Sequence, residues 1–183
     1  MNLYDACTYG RIDLLEQLKR DGLLPDLMVD QDRDGRYPHE VAICSGQLNV
    51  LRWLVQDSGQ IVDLTIDNYS AVEQAVAWEQ LETLKWLVLE SKQPVLIKIN
   101  SKDTDWYMSD DVYNPAIVSF LEAVNQLHVA GVSIARLQQS PCMVQLVADG
   151  RFSPELISRL DASDLELAAG LRTTQSRKHL HRC

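Results

Sequence analysis

Apolar side chains return at helical spacing along the first two thirds of the chain. Leu51, Leu54 and Val55 fall at i, i+3 and i+4, and so do Leu84, Leu87 and Val88. That spacing places each trio on one face of a helix. The two faces sit in segments that match. Gly46–Val55 and Glu79–Val88 share six of ten residues at a shift of 33, with Arg52 and Lys85 as a like-charged pair. The pattern also stands 36 residues earlier, as Gly10-Arg11-Ile12-Asp13-Leu14-Leu15-Glu16-Gln17-Leu18, and returns 33 residues later at Ile117, Phe120 and Leu121. Periods in this range mark stacked supersecondary units. The spacing predicts helices near 11–20, 48–57, 81–90 and 115–128.

Each unit reads as helix, tight turn, helix and extended finger. In the second unit Pro38–Cys44 forms a short first helix, Ser45-Gly46 turns the chain, and Gly59 ends the second helix. Glycine suits that place because it tolerates the left-handed cap conformation. In the third unit Ser70-Ala71-Val72-Glu73 has the form of a capping box. Ala6, Ala42 and Ala75 share one repeat position, where small side chains let neighbouring first helices approach. A lone unit leaves its apolar face bare, and stacking covers it.

The second unit carries a resemblance. Asp34-Gly35-Arg36-Tyr37-Pro38-His39, through Gly46 and on to Leu51-Arg52-Trp53-Leu54-Val55, resembles the D-G-x-T-P-L-H … G-H-x-x-V-V-x-L-L-L pattern of the ankyrin-repeat family. The likeness is strong over 34–59, good over 1–22 and 62–90, weak over 95–130, and absent from 131–183. It implies an all-α ankyrin solenoid of about four repeats over residues 1–130, the last degenerate, followed by a helical C-terminal extension over 131–183. Tyr37, His39 and Glu40 depart from the family's Thr, Leu and His, which implies a looser junction between units, and Glu79 replaces a turn glycine.

Charge narrows the function classes. The chain carries 17 basic and 26 acidic side chains, a net of −9. That balance disfavours nucleic acid and anionic lipid as partners. Residues 1–100 hold 16 acidic and 9 basic side chains, whereas Arg172–Cys183 holds four basic and no acidic ones. No run approaches the roughly 18 apolar residues of a membrane span. Met1–Gly10 lacks the pattern of a secretory signal, and Cys7, Cys44, Cys142 and Cys183 form no CxxC pair. These features point to reduced thiols and a cytoplasmic setting, or a host cytosol if the chain is a delivered effector.

Constellations that could carry chemistry are few. Asp30, Asp32 and Asp34 with Gly35 match the first half of a calcium loop, but Val41 stands where such a loop needs a bidentate glutamate. The reading is an acidic finger tip with no metal. His179, His181 and Cys183 lack a nearby fourth zinc ligand, and Cys142 sits among apolar neighbours rather than in an activating environment. There is no glycine-rich phosphate loop. No catalytic residue and no cofactor is assigned. Trp53 and Trp86 share one repeat position and are read as packing residues.

The remaining candidate is the concave face, which the resemblance implies as the binding groove. Asp30, Asp32, Asp34, Asp63 and Asp67 lie in its fingers, with Tyr37 and Tyr69 nearby and Trp78 and Trp106 on the same side. Aromatics supply buried contact area and carboxylates supply steering toward a basic partner surface. The function expected is protein–protein recognition, as an adaptor, an inhibitor or a bacterial effector. The rival is an enzyme or a separate binding activity within 131–183. That stretch reads as helices punctuated by Ser140-Pro141, Ser153-Pro154 and Asp161-Ala162-Ser163-Asp164, with a further short helix over Ser133–Gln139 and a basic tail. The sequence leaves the oligomeric state open.

Overall fold

A computed structural model describes residues 2–65, 71–93, 114–129, 133–139 and 141–148. Among these the chain is all helix and turn, with no strand. Two compact units divide it. The first covers Met1–Leu87 with Val95–Ile97, and the second Val88–Pro94 with Lys98–Cys183.

The first unit is built from one motif used three times. Helix α1 (Leu3–Tyr9) turns into α2 (Ile12–Arg20), and α3 (Pro38–Cys44) into α4 (Leu48–Arg52), which continues as a π-helical turn over Trp53–Asp57. Helix α5 (Ala71–Ala77) turns into α6 (Leu81–Leu89). The turns are closed by equivalent bonds. Arg11, Gln47 and Gln80 donate their backbone N–H to the carbonyls of Ala6, Ala42 and Ala75, at 3.0, 2.8 and 2.7 Å. Those three alanines are fully buried, and α1 packs on α3 and α3 on α5. Small side chains at the contact therefore do what their repeat position requires. Leu15, Leu51, Leu54, Leu84 and Leu87 are fully buried as well. The predicted helices at 11–20, 48–57, 81–90 and 115–128 are all present, the second with its last turn widened to the π form.

The connecting fingers repeat too. Asp26 accepts the N–H of Met28 and Asp63 that of Thr65, at 2.9 and 2.8 Å. The leucine inside each turn, Leu27 or Leu64, is buried at 1% exposure. Gln60 ties the two fingers together, its amide donating to the Pro25 carbonyl at 2.8 Å and accepting from Leu27 N–H at 2.9 Å. A side chain thus satisfies backbone groups that no strand partner reaches.

The turn position tests the register. Gly46 has φ +67°, and a Cβ there would lie 2.6 Å from Gln80 Oε1. Glu79 adopts the same left-handed conformation at φ 54° without being glycine. A side chain in that region costs roughly 1–2 kcal/mol. We expect Gly46→Ala to destabilise by about 1–2 kcal/mol, and Glu79→Gly to be stabilising by up to ~1 kcal/mol because the relieved strain exceeds the added unfolded-state entropy. Urea unfolding of both variants checks this; equal shifts of the same sign would refute the shared geometry.

In the second unit α7 (Pro115–Val129) packs on α9 (Pro141–Ala148), which packs on α8 (Ile134–Gln138). Gln138 donates to the Val88 carbonyl at 2.9 Å. The short helix expected over 133–139 and the helix start at Pro141 are observed. Ser70, the helices expected after Ser153 and Asp161, and the basic tail lie outside the described residues.

Candidate partner-binding face

The first helices carry equivalent residues in a row that is exposed at Asn2, Tyr9 and Trp78 and buried at Pro38, Val41 and Ala71. On α1, Asn2, Asp5 and Tyr9 follow each other at i, i+3 and i+7, and the equivalent positions are Pro38, Val41 and Ser45 on α3 and Ala71, Gln74 and Trp78 at α5. Asn2 opens α1 with a reciprocal cap. Its side chain accepts from Asp5 N–H and its own N–H donates to Asp5, both at 2.9 Å. Beside this cap lies a hollow of about 570 Å³, walled by Asn2, Tyr4, Asp5 and Thr8 on one side and by Gln31–Asp34, Arg36 and Val41 on the other.

The finger in that wall is shaped by its own charges. Asp32 accepts the N–H groups of Asp34 and Arg36, each at 2.9 Å, and the Arg36 guanidinium at 3.0 Å. Burial works upward on the Asp32 carboxyl, but these bonds override it and hold its pKa below the usual carboxylate range. Arg36 also reaches Asp34 at 3.0 Å. Asp30 turns inward and accepts the Tyr4 hydroxyl at 3.0 Å. Burial, then this bond to Asp30, push the Tyr4 phenol well above its ordinary value. The finger tip therefore is not a bare row of carboxylates. The Arg36 guanidinium stands on the two carboxylates that a calcium loop would turn toward a cation, and Arg33 adds a second, exposed positive charge.

The expected site residues fall into three groups. Asp34, Asp63 and Trp78 are exposed and belong to the surface. Asp63 accepts both the N–H and the hydroxyl of Thr65, which hold its pKa low. Asp30, Asp32 and Tyr37 are half-buried and structural. The Tyr37 ring stacks on His39 with centroids 5.7 Å apart. Asp67, Tyr69 and Trp106 lie outside the described residues. Trp53 and Trp86 are buried at 4% and 1% exposure. Trp53 donates its indole N–H to Glu16, and Lys19 lies 5.9 Å over its ring.

The looser junction implied by Glu40 has a different outcome. Glu40 accepts Tyr37 N–H at 2.7 Å with one oxygen and the Gln74 amide of the next helix at 2.6 Å with the other. The Glu40 carboxylate thus caps its own helix and bonds across the junction. Neither this pair nor Asn2, Thr8 and Arg33 in the hollow is among the residues that the sequence pattern points to. Burial pushes the Cys7 thiol up to about 12, and raises that of Cys44, so neither is primed as a nucleophile. The side chain of Cys142 lies outside the described residues.

The chain matches no family model, no curated protein and no solved structure. Among the described residues no group of three or more His, Cys, Asp or Glu side chains is placed to hold a metal, and no helix is long and apolar enough to cross a membrane.

Proposed function

We propose that residues 1–130 form an ankyrin-type repeat solenoid, and that the protein binds a partner protein through the face made by its first helices and fingers. The observation that carries this reading is the hollow where one face of α1 meets the Asp30–Arg36 finger. Repeat arrays use such extended surfaces for recognition. The helix–turn–helix bonding repeated at Ala6, Ala42 and Ala75 supports the architecture. A cytoplasmic adaptor, inhibitor or delivered effector would each use the face in this way.

The test is kinetic. A partner isolated with the full chain is purified and its binding followed by surface plasmon resonance. Asp34→Asn with Asp63→Asn should slow association and weaken its salt dependence, since both carboxylates are exposed. Trp78→Ala should speed dissociation instead. Asp32→Asn is a poor probe, because it removes three bonds that shape the finger. Rates unchanged by all three exposed substitutions, with binding lost on deletion of 131–183, would move the function to the C-terminal helices.

A further inference from the structure

Of the large apolar side chains that remain exposed, two share a repeat position. Tyr9 is 69% and Trp78 57% exposed, and each stands immediately before the left-handed turn residue, Gly10 or Glu79. The position between them is Ser45, before Gly46. The bonds to Ala6, Ala42 and Ala75 carbonyls fix these three turns in one register. The contacts that a Cβ on Gly10 or Gly46 would make with Gln47 and Gln80 fix it again from the other side. The result is a row of aromatic ring, short hydroxyl and aromatic ring along the edge of the first-helix face. Packed helix axes lie about 8–10 Å apart, so the two rings are about 16–20 Å apart.

The surroundings say which chemistry fits. The described part of this unit, residues 2–65 and 71–87, carries 14 acidic and 7 basic side chains. Glu79 is exposed next to Trp78, and Asp5 lies one turn before Tyr9 on the same helix face. Nearby Arg11 is already paired with Asp13 at 2.5 Å. Aromatic faces attract cations, tryptophan most strongly. We infer that Tyr9 and Trp78 are paired anchors for an extended, basic segment of a partner protein, which presents one arginine or lysine to each ring and crosses Ser45 between them. An extended chain advances about 3.3 Å per residue, so the two cations should be about five or six residues apart. This inference rests on reading the first-helix face as the binding surface, and adds the partner's chemistry and spacing to it.

The probes are labelled peptides rich in serine and threonine that carry two arginines separated by two to nine positions. Binding to the full chain is read by fluorescence polarisation. Affinity should peak where the arginines are five or six residues apart, and fall when both are replaced by norleucine. Tyr9→Ala and Trp78→Ala should each weaken the best peptide by about three- to fivefold, and together by roughly tenfold or more. Trp78→Phe should retain part of the affinity. Both positions are solvent-facing, so thermal melting should show folded variants. No binding by any peptide, no dependence on spacing, or equal binding of the norleucine peptide overturns the inference. Loss of binding in Asp5→Asn with Asp34→Asn but not in the aromatic variants overturns it while leaving the first-helix face as the binding surface. Binding unaffected by either set overturns both.

Discussion

Leu54→Ala should cost about 2–5 kcal/mol of stability, the range for truncating a fully buried leucine and leaving a cavity. Leu54 is completely buried and sits inside the π-helical turn that ends the second helix of the middle unit. Its Ser58 neighbour donates back to the Leu54 carbonyl at 2.6 Å, so the backbone there is tied down and relaxes little into a void. Domains of this size are stable by only about 5–15 kcal/mol. One methyl-rich side chain in the middle of a stack therefore decides a large share of the total. With a urea slope of about 1–3 kcal/mol per molar, the unfolding midpoint should fall by ~1 M or more. Gln56→Ala, two residues on and exposed, should stay within about 0.5 kcal/mol of the parent. Matching midpoints for the two variants would mean that Leu54 does not pack between units.

The second large effect is acid destabilisation centred on His39. This ring is 3% exposed, and its Nδ1 has no hydrogen-bond partner. Burial holds its pKa down to about 4, against a weak upward pull from Asp63. The unfolded chain takes up a proton near pH 6.5, while the folded chain refuses it until about pH 4. Stability is therefore full above pH 6.5, falls as pH is lowered through this window, and gains no further loss from this group below it. The amount is ~3 kcal/mol. His39→Leu should remove that slope and relieve the unpartnered nitrogen. Urea midpoints at pH 7.5, 6 and 5 measure it. A parent and variant that lose stability in parallel would rule His39 out as the source.

Much of the helical frame could be read from spacing alone. Leu51, Leu54, Leu84 and Leu87 announce buried faces because burial along a helix has a period, and all four are fully buried. Pro38 and Gly46 mark the ends of the middle first helix because one lacks an N–H and the other accepts a positive φ. The site was less legible. Carboxylates at Asp30, Asp32 and Asp34 suggested an open negative tip, yet Arg36 and Tyr4 engage all three. The signal for Arg36 was local, at i+4 from Asp32; that for Tyr4 was not, since it arrives from 26 residues away. The shared position of Tyr9 and Trp78 was present in the repeat but needed two successive shifts, 36 and 33, to be seen. The Glu40–Gln74 bond was hidden because a departure from the family pattern reads as a loss until its new partner is placed.

The junctions between these repeated motifs are individually matched. Copying the middle unit and inserting it behind itself would bring Val41, the equivalent of Gln74, against the first copy's Glu40. The carboxylate oxygen that now accepts an amide would meet a hydrocarbon. In the same copy Arg52, the equivalent of Glu16, would face the Trp53 indole N–H, donor against donor. Val55 would replace Lys19, the cation that now reaches the Asp57 carbonyl. Growth by duplication, the usual way in which modular arrays lengthen, is closed to this chain unless the copied surfaces change with it.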